Sequence, residues 1–450
     1  MFKIDKTYTE ILRISLPISL ALIIPFLNLT INNYFLGQMG EMELGTAGIT
    51  GVYYLLIAML GNGLHSAIQS IIARRVGEDR KEDIGKTFSQ GLMISQLFCI
   101  LFILFTIYIT PIFFKLFIRD QTVYALSINF INIRVWGLPF LYLFQLCNAF
   151  FMGTTNTQFL MFGTLAQAGS NILMDYLMIF GNMGFPALGF EGAAWASVVS
   201  EIIGFIFIYI VLFRKRFHVR FTLFDHFRID FSTLKLILRT AVPLMAQYAI
   251  SLLSWLIFYM LIEHQGERSL AISNLMRNLF AFTGIFIWAL ASTTNTMVSQ
   301  MIGQRNYGGV IELVHKIMRL SLLFSISLFV MLNITPGFFL HLFGLTEDFI
   351  KTGIPVLRMV SFAIIFQSAS VIWLNAVTAT GKTFINLLIE ITAIVFYGVY
   401  VFMVIEKYQL NLVWAWASEL IYWFVIILLS VAYIYSGKWK ETMFKNPSPF

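Results

Sequence analysis

The chain has few charged residues and only two cysteines. Asp, Glu, Lys and Arg make up 12% of its 450 residues, whereas 58% are hydrophobic. So little polar surface cannot enclose a water-soluble core of this size, which excludes an ordinary soluble domain. Cys99 and Cys147 lie inside apolar stretches and offer neither a disulfide framework nor metal-ligand spacing. The sequence also lacks a nucleophile elbow, an HExxH motif and a Gly-rich phosphate loop, so it does not predict an enzyme.

Long hydrophobic runs are abundant. A helix needs about 20 mostly apolar residues to cross the hydrocarbon core of a membrane. Runs such as 320–332 are apolar on every side, unlike the alternating pattern of a β-barrel strand. We therefore predict an all-α polytopic membrane protein with 12 transmembrane helices, near residues 14–36, 46–73, 88–110, 123–150, 159–181, 190–213, 237–262, 270–302, 312–334, 354–377, 384–405 and 411–435.

The chain contains an internal repeat. Residues 11–95 recur without a gap 226 positions later as residues 237–321, and the run AWAS at 194–197 returns at 415–418. The two longest apolar runs hold equivalent places in the repeats, so we expect each to be one tilted helix and not two spans. The duplication predicts two pseudo-symmetric six-helix bundles and suggests transport by alternating access.

The basic residues orient the chain. Its net charge of +7 could indicate a nucleic-acid partner, but most of the 30 Lys and Arg fall on one side of the membrane if both termini are cytoplasmic. The positive-inside rule then explains the charge without nucleic acid. We expect a multi-pass protein of a bacterial-type plasma membrane that contacts lipid and needs no protein partner. The predicted domains are an N-terminal bundle (1–213), a cytoplasmic linker (214–236), a C-terminal bundle (237–436) and a cytoplasmic tail (437–450).

A specific motif lies between the fifth and sixth predicted helices. Residues 171–197 form the run NILMDYLMIFGNMGFPALGFEGAAWAS, and residues 32–41 and 73–77 carry two shorter motifs. In these stretches the chain resembles the multidrug and toxic compound extrusion (MATE) family of secondary transporters, and the resemblance extends over nearly the whole chain. It implies two six-helix bundles that form a V around a central cavity. It also implies exchange of Na⁺ or H⁺ for organic, often cationic, small molecules, with no cofactor besides the coupling ion.

Asn171 and Asp175 are the first candidates for an ion site. They are four residues apart, so they share one face of a helix and can offer amide and carboxylate oxygens to one cation. A charged side chain at the centre of a span costs about 2.5 to 3.5 kcal/mol, which usually indicates a function. The alternative is that Asp175, six residues before Gly181, reaches the outer interface and is solvated or capped there.

The resemblance implies that Asn171 and Asp175 belong to a cation site in the N-terminal bundle. Many family members add an acidic residue from the first helix, and Asn32 occupies that position here. Asparagine cannot titrate, but its carbonyl oxygen can bind a metal ion, which favours Na⁺ over H⁺. We include Ser197, at the end of the same motif, among the candidate cation ligands. Some relatives carry a glutamate eight residues after the proline of the seventh helix. Ser251 stands there, which leaves a C-terminal ion site open.

Three glutamates also fall inside predicted spans. Glu201, Glu390 and Glu419 could each bind an ion, carry a proton or anchor a cationic substrate. Trp416 lies close to Glu419 in sequence, and an aromatic face beside a carboxylate suits an organic cation. The alternative for each glutamate is a structural carboxyl group that is hydrogen-bonded to a neighbouring helix.

Two basic side chains complete the set of candidates. His65 lies well inside a predicted span, where it could shuttle protons or pack as a neutral ring. Arg134 is expected at an outer helix end, where its side chain can extend to the membrane interface. The alternative is a role in anchoring or gating.

Together these features predict a cation-coupled antiporter, with Na⁺ preferred over H⁺, that exports organic compounds of cationic or amphipathic character. The alternative is a flippase for a lipid-linked oligosaccharide from the same superfamily. The two functions differ in the expected charge of the substrate cavity.

Overall fold

The computed structural model describes residues 7–341 and 347–440. Residues 441–450 of the predicted tail therefore lie outside the described residues. Within the described ranges, each of the twelve predicted spans is a helix, which confirms the all-α polytopic fold. The twelve are α1 (Tyr8–Gly37), α2 (Glu41–Gly77), α3 (Lys81–Tyr108), α4 (Gln121–Gly153), α5 (Gln158–Phe180), α6 (Gly189–Arg214), α7 (Phe231–Glu263), α8 (Glu267–Gly303), α9 (Tyr307–Ile334), α10 (Glu347–Ala379), α11 (Thr383–Lys407) and α12 (Leu412–Tyr435).

Helix length and polarity distinguish α2, α8 and α5 from the other spans. The helices α2 and α8 each run for 37 residues without interruption, as expected for single long spans. By length and composition, 11 helices of the described residues are apolar enough to cross a membrane. The twelfth is α5, a 23-residue helix, and its lower apolarity reflects Gln158, Gln167, Asn171 and Asp175. Short helices occur at Thr110–Phe117, Phe217–Arg220 and Pro336–His341.

The described chain divides into two compact units. The central unit is Leu20–Met245, and the terminal unit combines Met1–Ser19 with Ala246–Phe450. These boundaries fall inside α1 and α7, whereas the sequence places the domain boundary in the linker. The predicted domains stay a prediction.

Close helix packing within the central unit fixes the position of α5. A Cβ atom at Gly192 of α6 would lie 2.5 Å from the Met178 carbonyl oxygen of α5. Only a glycine therefore allows the two backbones to approach so closely, as is common where helices meet in membranes. In the terminal unit, α10 is the most buried of the described spans and packs against α8, α9 and α12.

The connection between α6 and α7 is fixed to the N-terminal part of α3. Phe221 and Leu223 of this connection are buried. Ser89 donates a hydrogen bond to the Leu223 carbonyl at 2.5 Å, and Gln90 donates one to the Arg228 carbonyl at 2.9 Å. The predicted linker therefore belongs structurally to the central unit.

Asp230 caps the start of α7. Its carboxylate accepts hydrogen bonds from the Ser232 amide and hydroxyl, at 3.0 and 2.6 Å, and from the Thr233 hydroxyl at 2.7 Å. These bonds, first those of the two hydroxyls, lower the pKa of Asp230 from 3.8 to about 2. Because the folded pKa lies below the unfolded one, the cap stabilises fully above pH 3.8 and loses its effect as the pH falls towards 2.

Asp230→Ala is expected to lower the free energy of unfolding by about 1 kcal/mol at neutral pH, since a helix cap is lost. Thermal unfolding of the detergent-purified protein measures the change, and the difference from wild type should shrink as the pH falls below about 4. Asp225→Ala is the control, because Asp225 is an exposed carboxylate of the same connection. Equal midpoints for wild type and Asp230→Ala at pH 7 would contradict the capping role.

Candidate cation site

The structure buries Asn171 and Asp175 on one face of α5. Asp175 is 0% exposed and Asn171 is 3% exposed. The side chain of Asp175 is therefore not solvated. This burial contradicts the alternative that Asp175 reaches solvent at the outer interface. Both side chains lie in the central unit.

The second half of α1 supplies two amides to Asn171. The Oδ1 atom of Asn171 accepts hydrogen bonds from Asn28 Nδ2 at 2.7 Å and from Asn32 Nδ2 at 3.4 Å. The structure thus brings Asn32 and Asn171 together, as the family resemblance implies. Sequence reasoning missed Asn28. The available signal was its four-residue spacing from Asn32, which puts two amides on one face of an apolar helix.

The cluster of Asn28, Asn32, Asn171 and Asp175 contains several buried oxygen atoms without hydrogen-bond donors. Both carboxylate oxygens of Asp175 and the Oδ1 atoms of Asn28 and Asn32 accept no hydrogen bond from the described residues. Buried polar atoms are normally paired, so such a group requires an explanation. Carboxylate and amide oxygens are the ligands that hard cations prefer. The single negative charge of the Asp175 carboxylate, among neutral amides, balances the charge of one monovalent cation.

The amide groups can adjust to a cation. Asn171 Nδ2 is also buried without an acceptor among the described residues. The oxygen and nitrogen positions of an asparagine amide are assigned from hydrogen bonding, and rotation by 180° exchanges them. Such a rotation would place an oxygen of Asn171 where its nitrogen now lies and would release the two donors of α1.

Ser197 is not hydrogen-bonded to this cluster. The side chain is half-buried on α6, and its carbonyl accepts from the Ser200 hydroxyl at 2.7 Å. No hydrogen bond within the described ranges joins Ser197 to Asn171 or Asp175. Its role as a cation ligand stays a prediction.

A buried ion pair lies in the same unit. Arg134 Nη2 donates to Glu201 Oε1 at 2.8 Å, and Glu201 is only 2% exposed. The Tyr54 hydroxyl donates to both carboxylate oxygens of Glu201, at 3.1 and 3.2 Å, while the guanidinium lies 3.8 Å from the centre of the Tyr54 ring. The interpretation of Arg134 as an interface residue is wrong, because the guanidinium turns inward to Glu201.

Charge balance connects this pair to Asp175. Arg134 interacts electrostatically with Asp175 and is hydrogen-bonded to Glu201. Two carboxylates and one guanidinium carry a net charge of −1 when all three are ionised. One bound Na⁺ or H⁺ neutralises the group. The arrangement therefore suits a site that takes up one monovalent cation.

Gly137 makes room for Glu201. A 3-10 turn, Val135–Gly137, interrupts α4, and a Cβ atom at Gly137 would lie 1.9 Å from Glu201 Oε2. That contact is far below van der Waals distance, so any larger residue requires the Glu201 carboxylate beside Arg134 to shift.

Gly137→Ala is expected to destabilise the protein by several kcal/mol, since it disturbs a buried ion pair. Gly169→Ala is the matched control: Gly169 is an exposed glycine of α5, and no atom apart from the adjacent residues and the nearby backbone of its own helix lies within 4 Å of the place that an added methyl group would take. That change should stabilise the helix by roughly 0.5 to 1 kcal/mol. Thermal unfolding in detergent compares the two variants, and a Gly137→Ala midpoint at or above that of wild type would contradict the steric argument.

His65 is a packed residue of α2. The ring is 4% exposed, with Nδ1 2.6 Å from the Gly61 carbonyl and Nε2 3.1 Å from the Ser95 hydroxyl. Nδ1 must donate to the carbonyl, so Nε2 accepts from Ser95, and both nitrogens are satisfied in the neutral ring. No hydrogen bond joins His65 to the Asp175 cluster within the described residues.

Glu419 and Trp416 lie in the terminal unit with separate partners. Glu419 Oε2 accepts from the indole of Trp423 at 3.0 Å, and the Trp416 indole donates to the Ser273 hydroxyl at 3.0 Å. Trp416 is fully buried, with the Phe258 ring 5.4 Å away in an edge-to-face arrangement. The described contacts of Trp416 are those of a packed core residue.

Glu390 of α11 is 1% exposed. It contacts Ser251, the residue at which the sequence left a C-terminal ion site open. The Ser251 hydroxyl of α7 donates to its Oε1. The side chains of α7 and α11 thus meet at this carboxylate.

Comparison with known proteins identifies the same repeat. A family model described as MatE matches residues 17–177 and again residues 243–403. The two matches together cover more than half of the chain and are offset by the spacing of the internal repeat.

Two curated relatives illustrate the range of sequence similarity. The probable multidrug resistance protein YoeA of Bacillus subtilis is 23% identical over 399 residues, which cover 87% of this chain and 84% of that protein. The probable multidrug resistance protein NorM of Synechocystis sp. is 27% identical over 225 residues. That match covers 50% of this chain and 48% of the relative, so it spans about half of each protein.

Solved structures share the fold at lower identity. A crystal structure of MATE in complex with MaL6 has a TM-score of 0.88 at 18% identity, over 97% of both chains. An outward-facing multidrug resistance MATE family transporter of the MOP superfamily has a TM-score of 0.87 at 19% identity, over 95% of this chain and 96% of the other. At this identity the comparison establishes the fold.

Proposed function

The chain belongs to the MatE family of membrane transporters, and we propose that it is a cation-coupled antiporter that exports organic compounds across the plasma membrane. The relatives named as probable multidrug resistance proteins support this function. The transported compounds are small organic molecules of cationic or amphipathic character. Both termini are cytoplasmic in this proposal, because that orientation places most basic residues on the inner side.

One observation carries the coupling part of the proposal. Asp175 is completely buried, and both of its carboxylate oxygens accept no hydrogen bond from the described residues. A buried carboxylate in this state is stabilised by a cation or a proton. The amide oxygens of Asn28 and Asn32, also without donors, lie in the cluster around Asn171 and complete a set of oxygen ligands.

The ligand chemistry favours Na⁺ over H⁺. Asn28, Asn32 and Asn171 cannot titrate, so Asp175 is the one group in the cluster that could carry a proton. A metal ion, in contrast, uses the amide oxygens as well. Entry of one charge across about 100 mV releases about 2.3 kcal/mol, which equals a roughly fiftyfold concentration ratio of a neutral substrate.

The duplication supports alternating access. Two related halves can exchange an inward-open for an outward-open arrangement around one site, as in other transporters with internal repeats. The family model matches both halves over the same length. The relatives' names do not favour the flippase, because they state multidrug resistance.

Transport by the purified protein in proteoliposomes tests the proposal. A fluorescent organic cation is loaded, and its efflux is followed under an imposed Na⁺ gradient and, separately, under a pH gradient. We expect the Na⁺ gradient to drive efflux at least tenfold above protein-free liposomes, and the pH gradient to drive it less. Efflux driven by neither gradient would contradict the antiporter, and a lipid-linked sugar would then be the next substrate to test.

A further inference from the structure

Arg134 carries a buried donor without an acceptor, in the same unit as buried acceptors without donors. Its Nη2 bonds to Glu201, but its Nη1 donates no hydrogen bond to any described residue. Both carboxylate oxygens of Asp175 likewise accept none from the described residues. Buried polar groups are normally paired, so each of these atoms requires an explanation. A cationic donor and an anionic acceptor that both lack partners can pair with each other in another state of the protein.

The helices α4, α5 and α6 place three charges in one region of the central unit. The helix α6, which carries Glu201, packs against both α4 and α5. Arg134 lies 19 residues before the end of α4, and Asp175 lies 17 residues after the start of α5. Residues 154–157 connect these two ends, so both side chains lie about 26 to 28 Å from the connection along their helices. Arg134 bonds to one of the two carboxylates and acts electrostatically on the other.

The surroundings of Arg134 leave space at its Nη1 atom. The 3-10 turn Val135–Gly137 begins directly after Arg134, and such a turn inside a long helix often marks a functional hinge. The turn ends in a glycine, and a Cβ atom there would lie 3.0 Å from Arg134 Nη1. The guanidinium carbon lies 3.8 Å from the centre of the Tyr54 ring, which attracts the cation without using a hydrogen-bond donor. The ring and one ion pair thus hold Arg134 and leave Nη1 without an acceptor among the described residues.

We propose that Arg134 is a tethered cation for the site at Asp175. Arg134 pairs with Glu201 while the coupling ion is bound, and its Nη1 turns to Asp175 when the ion leaves. The guanidinium suits this exchange, because it stays charged and its separate N–H groups can bond to two carboxylates. Asp175 then needs no proton after Na⁺ has left, which favours Na⁺ as the coupling ion. This role rests on the proposed function and supplies the positive charge that balances Asp175 in the other half of the transport cycle.

Sodium titration of the purified protein, followed by calorimetry at constant ionic strength, tests the exchange. Glu201→Gln removes the first partner of Arg134, so Arg134 occupies Asp175, and we expect Na⁺ to bind at least about tenfold more weakly than to wild type. Arg134→Gln combined with Glu201→Gln also removes the competing cation, so we expect this double variant to bind Na⁺ at least about tenfold more tightly than Glu201→Gln. Arg358→Gln is the control, because Arg358 is an exposed arginine of α10, and it should bind Na⁺ like wild type.

A tyrosine signal reports the movement of Arg134 and remains informative if the variants of the ion pair do not fold. The guanidinium leaves the Tyr54 ring when it turns to Asp175, so Na⁺ addition should change the near-ultraviolet absorption of tyrosine in wild type. We expect Tyr54→Phe to remove this difference signal. Tyr53→Phe is the matched control and should retain the signal, because the Tyr53 hydroxyl bonds to two threonine hydroxyls and not to the ion pair.

Each outcome decides the exchange separately from the proposed function. Equal Na⁺ affinities of Glu201→Gln and the double variant would overturn the tethered cation, and saturable binding by wild type would still support the sodium site. A wild-type spectrum unchanged by Na⁺, or a signal that persists in Tyr54→Phe, would likewise overturn the exchange alone. Na⁺ binding by the double variant but not by wild type would support Arg134 as the competing cation and contradict coupling to Na⁺. Absence of binding from both proteins would overturn the exchange and the sodium site together.

Discussion

Asp175→Asn is expected to abolish Na⁺-driven export while the protein still folds. The substitution keeps the size of the side chain but removes the carboxylate that Asp175 contributes to the cluster, so a bound Na⁺ would lose its counter-charge. Changes in groups that merely support metal ligands already cost about 10- to 100-fold in affinity. We therefore expect the loss to be at least that large, measured as the initial rate of efflux from proteoliposomes under a Na⁺ gradient.

Asp120→Asn is the matched control for this substitution. Asp120 is an exposed carboxylate before α4 that accepts hydrogen bonds from the Thr122 and Val123 amides. Asparagine caps a helix about as well as aspartate, so this variant should transport like wild type. Full Na⁺ coupling in Asp175→Asn, with wild-type amounts of folded protein, would remove Asp175 from the transport cycle.

The second large effect concerns the pair between Arg134 and Glu201. Arg134→Gln leaves Glu201 buried with the Tyr54 hydroxyl and without a positive partner. Removing one member of a buried ion pair typically destabilises by about 3 to 5 kcal/mol. The double variant Arg134→Gln with Glu201→Gln has no unpaired charge, so we expect it to recover most of that loss. Thermal unfolding of both single variants and the double variant in detergent measures the coupling.

An exposed pair provides the comparison. Arg268 lies 2.8 Å from Asp348, and the two side chains are 48% and 81% exposed. Such pairs contribute about 0 to 1 kcal/mol, so Arg268→Gln should leave the unfolding midpoint nearly unchanged. A double variant no more stable than Arg134→Gln alone would show that the charges of Arg134 and Glu201 do not stabilise each other.

The positions of the helices could be predicted because the membrane sets a simple length requirement. Each apolar run of about 20 residues must form a helix to satisfy its backbone hydrogen bonds in lipid. The requirement explains why the 37-residue helices α2 and α8 were recognisable as single spans. It also explains why α5, which carries Asn171 and Asp175, could be identified despite its polar residues.

The contacts between helices could not be predicted in the same way. A run that is apolar on every side does not show which face meets a neighbour. Arg134 was therefore assigned to the interface from its position near a helix end, whereas its partner Glu201 is 67 residues away. Only the folded arrangement of α4 and α6 brings the two together.

Residue identity alone was also insufficient to predict which side chains form the polar clusters. The pair Asn171 and Asp175 was visible from spacing, but Asn28 carried no family motif. In the terminal unit, Ser251 left a C-terminal ion site open, and the sequence did not show that the Ser251 hydroxyl meets the carboxylate of Glu390 in α11. Side chains of different helices can meet at one place in the fold without a signal in the sequence.

Sodium binding to the purified protein is the most direct measurement of the central claim. Titration of Na⁺ into wild type, Asp175→Asn and Glu390→Gln, followed by calorimetry, requires no knowledge of the substrate. We predict saturable binding of one Na⁺ to wild type and to Glu390→Gln, and none to Asp175→Asn. Equal Na⁺ binding by wild type and Asp175→Asn would contradict a sodium site at Asp175.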